Sequence, residues 1–113
     1  MESLFEATVT KSDPGAVVVM TGTVNRAAKE ALESAYEEAT SVSGRVLLDF
    51  SGVDYINSTG IAVIVGILAM ARAEDRVVAA FGLTDHYREV FNITRLADFM
   101  TIYDDETAAV AAG

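Results

Sequence analysis

The central stretch of the chain reads Val46-Leu47-Leu48-Asp49-Phe50-Ser51-Gly52-Val53-Asp54-Tyr55-Ile56-Asn57-Ser58-Thr59-Gly60-Ile61. Its first three residues are apolar without alternation, which predicts a short strand that is covered on both faces. A loop is expected to follow, after which Asn57 or Ser58 caps a helix, because both residue types are strong N-caps. Burial of the strand on both faces requires helices against at least one of them.

The residues before this stretch predict a hairpin and a helix. Apolar and polar residues alternate over 5–10, which indicates a strand with one solvated face. Asp13-Pro14-Gly15 is a turn signal, and the β-branched run over 16–20 predicts the second strand. Apolar residues at helical spacing then predict an amphipathic helix over 26–41.

The residues after the central stretch continue the alternation of helix and strand. A helix begins near Ser58, a strand follows over 76–81, and Thr84 caps the next helix. A short strand over 100–103 and a terminal alanine-rich helix, which begins after Asp104-Asp105-Glu106, complete the order ββαβαβαβα. This order predicts an α/β fold with a mixed, mostly parallel central sheet and helices packed against it.

Length, composition and charge restrict the function. The chain has 113 residues, 51% of them hydrophobic, which predicts a single domain over 1–113. Its 17 acidic and 8 basic residues give a net charge of −9, which disfavours nucleic acid and anionic lipid as partners. With no cysteine and one histidine, His86, no metal site is predicted. The N-terminus lacks a basic, apolar secretory signal, so a cytoplasmic location is expected.

The helix that begins near Ser58 is unusually apolar. Every residue of the run 61–71 is apolar or glycine, so apolar side chains point in all directions around the axis. The run is too short for the ~20 residues that span a bilayer, and no membrane insertion is predicted. We expect it to be partly exposed as a binding patch, with an Ile or Met facing outward. Its N-terminus, with the hydroxyls of Ser58 and Thr59, would tolerate a phosphate.

Other candidates for chemistry are weaker. His86 is expected to be a surface or capping residue, since no Gly-x-Ser-x-Gly elbow surrounds any serine. No glycine-rich phosphate loop occurs, so no nucleotide cofactor is predicted. Asp49 and Asp54 would suit a Mg²⁺ site or an acid–base pair, but acids between a strand and a helix are usually solvated turn residues.

Three segments resemble a known family. Residues 49–61 resemble the signature of the STAS domain, in which the turn reads Asp-Ser-Ser-Gly or Asp-Ser-Thr-Gly. Residues 21–25 resemble that family's loop after its second strand, and residues 87–96 resemble its next-to-last helix. The resemblance therefore covers essentially the whole chain.

The resemblance implies an anti-sigma factor antagonist that works by partner switching. In such proteins an anti-sigma factor with serine kinase activity phosphorylates the first hydroxyl residue of the motif, which is Ser58 here, and then no longer binds. A phosphatase resets the cycle, so this chain would be a substrate and not an enzyme, and it would need no cofactor. The implied partner-binding residues are Thr23, Asn25, Asn57, Ser58 and Thr59.

The chain departs from the family pattern at two positions. Asn57 replaces the acidic residue of the motif, and Asn25 replaces the acidic residue common in the loop after the second strand. An amide can hydrogen-bond but cannot accept a proton from a serine. These departures favour an alternative, in which the chain is a non-switching STAS scaffold or regulatory subunit of a larger stress-sensing or transporter-associated complex. A third hypothesis, a small α/β enzyme, rests only on Ser58 and the two nearby acids.

Overall fold

The computed structural model describes residues 4–12 and 15–112. Within them the strands are β1 (Glu6–Ser12), β2 (Gly15–Val24), β3 (Arg45–Ile56), β4 (Val77–Phe81) and β5 (Thr101–Tyr103). The helices are α1 (Lys29–Val42), α2 (Ser58–Ala73), α3 (Asp85–Ile93) and α4 (Glu106–Ala111). One 3₁₀ turn (Arg26–Ala28) precedes α1, and a second (Leu96–Asp98) precedes β5. The predicted order ββαβαβαβα is confirmed.

The strands form one sheet in which neighbours in space are also neighbours in sequence, from β1 to β5. β1 and β2 pair antiparallel, and the other three pairs are parallel, so the predicted mixed and mostly parallel sheet is confirmed. Asp13 and Pro14 of the predicted hairpin turn lie outside the described residues. Right-handed crossovers that step in one direction across a sheet place their helices on the same face.

The core lies mainly on that face of the sheet. Leu32 and Tyr36 of α1, Ile64 and Ile67 of α2 and Phe91 of α3 are all fully buried there, against alternate residues of β2 and β3. The opposite face is covered by α4, where a smaller cluster forms. Its buried members are Val17, Leu47, Ala79, Phe81 and Ala109.

β3 is much longer than predicted. The expected loop after Leu48 is wrong, because the strand continues to Ile56 and pairs there with the second half of β2. The pairing shifts register twice, between Val19 and Thr21 and between Gly22 and Thr23. Ser51, Gly52 and Asp54 are poor strand formers, so local propensity argued for a loop. The neighbouring strand supplies the backbone hydrogen bonds that override this propensity.

α1 begins three residues later than the predicted 26–41. Asn25 accepts a hydrogen bond at Oδ1 from the Ala27 N–H at 2.9 Å and so caps the 3₁₀ turn. The chain becomes α-helical at Lys29 and remains so to Val42. The loop after β2 is thus held in a compact turn beside the start of α2.

Candidate functional site

The site lies where β2 and β3 end side by side. Val24 and Ile56 are the last paired residues, and the Asn57 N–H donates to the Val24 carbonyl at 3.3 Å. On its other side, the Ile56 N–H donates to the hydroxyl of Tyr87 on α3 at 2.9 Å. The parallel pairing therefore brings the 3₁₀ turn after β2 and the start of α2 together.

Asn57 is the N-cap of α2. Its Oδ1 accepts hydrogen bonds from the Gly60 N–H at 2.9 Å and from the Thr59 hydroxyl at 2.7 Å. Of the two predicted capping residues, Asn57 has this role and Ser58 is the first helical residue. An amide oxygen is enough for both contacts, so the absence of an acid at position 57 leaves the cap intact.

The two hydroxyls at the start of α2 differ in their surroundings. Thr59 Oγ1 donates to Asn57 and accepts the backbone N–H of Arg26 at 2.9 Å, which ties α2 to the 3₁₀ turn. Ser58 is exposed, and its hydroxyl makes no hydrogen bond with any residue in the described part of the chain. Of the two, Ser58 is therefore the hydroxyl that is accessible and not engaged by these residues.

The outer side of α2 forms a continuous exposed strip that we call the α2 face. Its members recur about once per helical turn and are mostly small: Ser58, Ala62, Val65, Gly66, Ala69 and Arg72. The predicted partial exposure of this apolar helix is present. The expected outward Ile or Met is wrong, because Ile64 and Ile67 are buried and Ile61 and Met70 are half-buried against the core.

Val65 is the large apolar side chain that α2 does expose, with 47% of its surface accessible. A groove of about 290 Å³ lies on one side of the α2 face, between α2 and the start of α1. A second groove, of about 310 Å³, lies on the other side, between α2 and the second 3₁₀ turn. Its lining includes Leu68, Leu96 and the half-exposed ring of Phe99. The α2 face is therefore a ridge between two grooves.

The far end of α2 is anchored to α1. The Tyr36 hydroxyl donates to Glu74 Oε1 at 3.1 Å, and Arg76 Nε donates to the same oxygen at 2.9 Å. Burial, together with the hydrogen bond to Glu74, raises the pKa of Tyr36 to about 12, so the phenol stays a neutral donor. Both ends of α2 are thus fixed, which holds the α2 face in one orientation.

The predicted partner-binding residues are not equally accessible. Asn57, Ser58, Thr59 and Asn25 lie together, and Ser58 and Thr59 are exposed. Thr23 is only 2% exposed, so it is the least accessible of the five. Its role in partner binding stays a prediction.

Comparison with known proteins assigns the chain to a family. The family model described as "Mlab, STAS domain" matches residues 7–102. The protein named "Putative anti-sigma factor antagonist BtrV", from Bordetella bronchiseptica, is 32% identical over 111 residues, which cover 96% of this chain and 94% of BtrV. The chain belongs to the STAS domain family.

Other similar proteins agree with this assignment. An anti-sigma-B factor antagonist from Listeria monocytogenes is 36% identical to the STAS domain described here, over 69% of this chain and 66% of its own. The crystal structure of an anti-sigma factor antagonist from Mycobacterium paratuberculosis has the same fold, with a TM-score of 0.82 at 18% identity over 96% of this chain and 93% of that one. Phosphorylated SpoIIAA from Bacillus superposes with a TM-score of 0.68 at 16% identity, over 97% of this chain and 100% of that one.

The remaining candidate residues of the STAS domain have simpler roles. His86 is exposed and packs edge-on against the ring of Tyr87, with ring centroids 4.9 Å apart. Asp49 Oδ1 accepts the Ser51 N–H at 2.9 Å and the Ser51 hydroxyl at 2.5 Å, and Asp54 is exposed. Over 4–12 and 15–112, no three acidic or histidine side chains cluster as a metal site would require. No helix there has the length and apolarity needed to cross a bilayer.

Gly66 is a position in α2 where a side chain is expected to increase stability. Apart from its chain neighbours and the backbone of its own helix, a Cβ built on Gly66 would meet no atom of the described residues within 4 Å, so packing inside the domain does not require this glycine. We predict that Gly66→Ala raises the free energy of unfolding by about 0.5–1 kcal/mol, as in other helix interiors. Urea denaturation measures this change, and an unaltered or lower midpoint would contradict it.

Proposed function

We propose that this STAS domain is an anti-sigma factor antagonist whose α2 face binds an anti-sigma factor with serine kinase activity while Ser58 is unmodified. Phosphorylation of Ser58 by that factor then releases it. The observation that carries the proposal is the exposed Ser58 hydroxyl, free of hydrogen bonds to the described residues, at the end of an exposed apolar ridge. The names of the curated relatives support an anti-sigma factor as the partner.

The chemical step needs little from the chain itself. Ser58 Oγ attacks the γ-phosphorus of ATP held by the kinase, an O–P bond forms, and the bond to the β-phosphate oxygen breaks to release ADP. The serine proton must pass to a base of the kinase, because Asn57 offers an amide whose oxygen already accepts two hydrogen bonds. In this reaction the STAS domain is the substrate, and the kinase supplies the catalysis.

The phosphate acts on binding more than on folding. It brings about −1.5 to −2 charges at pH 7 to one end of the α2 face, where association requires the loss of water. At the same time it lies at the positive end of the α2 dipole, which stabilises an anion. We therefore expect release of the partner without unfolding of the domain, and a phosphatase would restore binding by hydrolysing the Ser58 phosphate.

Intact-mass measurement of the protein recovered from its own cells tests this function. We expect a fraction that is heavier by one phosphate, located at Ser58 by peptide mapping, with the fraction changing between growth conditions. A Ser58→Ala variant expressed in the same cells serves as the control and should show no such fraction. If the natural protein is unmodified in every condition, the non-switching scaffold or subunit replaces this proposal.

A further inference from the structure

The α2 face differs in charge from the rest of the molecule. The whole chain has a net charge of −9, yet α2 contains no acidic residue in its 16 positions and Arg72 is its only charged residue. At the other end of the face, Arg26 lines the groove beside α2, and its backbone N–H bonds to Thr59. The ridge of small apolar residues is thus bordered by an arginine at each end.

Neither arginine is neutralised within the described part of the chain. Arg76, Arg88 and Arg95 each pair with a carboxylate, whereas no carboxylate of residues 4–12 and 15–112 lies within 4 Å of the Arg26 or Arg72 guanidinium. Arg72 instead lies over the ring of Phe99, 5.6 Å from its centroid. Unpaired cations on an otherwise acidic molecule leave this surface free to attract negative charge.

Arg26 and Arg72 differ in the charged residues that surround them. The groove that Arg26 lines also contains Lys29 and Glu33, but these two pair with each other at 2.9 Å and cancel. Asp75 and Asp98 line a cavity together with Arg72; Asp98 pairs with Arg95 at 2.7 Å, so it is Asp75 that weakens the field at that end. Arg26 is therefore expected to be the stronger of the two positions.

We propose that the α2 face selects a partner whose docking surface has an apolar centre bordered by carboxylates, one opposite Arg26 and one opposite Arg72. This inference rests on the proposed function, so the partner is the anti-sigma factor, and it specifies the chemistry of that factor's surface. From Thr59 to Arg72 the helix rises about 20 Å, which sets the approximate separation of the two acidic positions. The exposed apolar side chain of Val65 lies between them.

The same arrangement explains how a single phosphate opposes binding. Ser58 is the residue before Thr59, whose hydroxyl accepts the backbone N–H of Arg26, so the phosphate would lie at the same end of α2 as Arg26. A phosphate on Ser58 would place about 1.5 to 2 negative charges at the end of the face where the partner's carboxylate docks, and it would compete with that carboxylate for Arg26. The partner would then be released because its carboxylate, attracted by Arg26 in the unmodified domain, is repelled by the phosphate.

Charge reversal at the two arginines tests the inference. The probe is the purified anti-sigma factor that phosphorylates this chain, titrated without ATP against the unmodified domain. At low salt we expect Arg26→Glu to weaken binding about tenfold or more, Arg72→Glu about threefold, and Arg26→Lys less than about threefold. Lys11→Glu, which makes the same charge change on the edge strand β1, should alter binding by less than about twofold. Raising the salt concentration should weaken binding of the unchanged domain.

Two results separate the inference from the function on which it rests. If Arg26→Glu binds as tightly as the unchanged domain, or more tightly, while phosphorylation of Ser58 still releases the partner, the acidic docking surface is wrong and the switch remains. If the unmodified domain fails to bind the anti-sigma factor at all, the proposed function is wrong. Thermal unfolding of each variant confirms that a loss of binding reflects the surface and not the fold.

Discussion

Replacing Val65 by aspartate is expected to weaken binding of the anti-sigma factor about 100-fold or more, while the domain stays folded. Val65 is 47% exposed at the middle of the α2 face, where a partner would bury it. Apolar side chains at the centre of an interface contribute most of its affinity, and a carboxylate there would be desolvated without a partner. In the free domain the new side chain remains in water, so the free energy of unfolding should change by less than about 1 kcal/mol.

Val42→Asp is the matched control for this prediction. Val42 is also an exposed helical valine, 44% accessible, but it lies at the end of α1 and outside the α2 face. We expect binding within about twofold of the unchanged domain for this control. Isothermal titration and urea denaturation of both variants provide the two measurements. Equal binding by Val65→Asp and the unchanged domain would show that the partner docks elsewhere.

Gly60→Ala is expected to have the largest effect on stability, a loss of about 3 kcal/mol or more. A Cβ on Gly60 would overlap the carbonyl oxygen of Val24 and lie 2.6 Å from its carbon and 3.2 Å from the Asn25 nitrogen. All three are backbone atoms, which cannot rotate away as a side chain can. The start of α2 would have to move off the end of β2, and its hydrogen bonds to Val24 and Arg26 would be lost.

Gly66→Ala provides the comparison, because it is the same change in the same helix, where a Cβ would meet no atom of the described residues within 4 Å apart from its chain neighbours and the backbone of that helix. The two variants should shift the urea midpoint in opposite directions, downward for Gly60→Ala and upward for Gly66→Ala. A Gly60→Ala domain as stable as Gly66→Ala would mean that α2 and β2 are not in close contact. Destabilisation at Gly60 would also explain a loss of partner binding without any role for this glycine in recognition.

The secondary structure was predictable from the sequence wherever hydrophobic periodicity and helix-capping residues agreed. The order of elements, the cap at Thr84 and the start of α2 at Ser58 all followed from local patterns, and the structure confirms them. The second half of β3 did not follow from local patterns, because Ser51 and Gly52 disfavour a strand. This segment is a strand because it pairs with the neighbouring β2. The α/β class was therefore predictable, but the length of the strand that leads into the site was not.

The site itself was predictable in position but not in detail. The motif over 57–60 identified the turn, whereas the separation of roles within it depends on contacts between residues far apart in sequence. Thr59 is engaged by the backbone of Arg26, 33 residues away, and this contact leaves Ser58 as the open hydroxyl. The identity of the exposed apolar residue, Val65 and not an Ile or Met, depends on how α2 rotates against the core. Single-sequence patterns do not record such long-range contacts.

The most direct test of the switch is the affinity of the anti-sigma factor for the domain before and after phosphorylation. In the absence of ATP, the unmodified domain and Ser58→Ala should bind equally. When ATP is added, Ser58→Ala should stay bound, whereas the unchanged domain should be released as one phosphate appears in its mass. Because Asn57 is the N-cap, Ser58→Ala should change stability by less than about 0.5 kcal/mol. Ser58→Asp should release the partner incompletely, since a carboxylate carries less charge than a phosphate.

The account predicts that the domain phosphorylated at Ser58, purified and titrated in the absence of ATP, binds the anti-sigma factor at least about 100-fold more weakly than the unmodified domain. It would be contradicted by equal affinity of the two forms, or by release and phosphorylation of Ser58→Ala to the same extent as the unchanged domain.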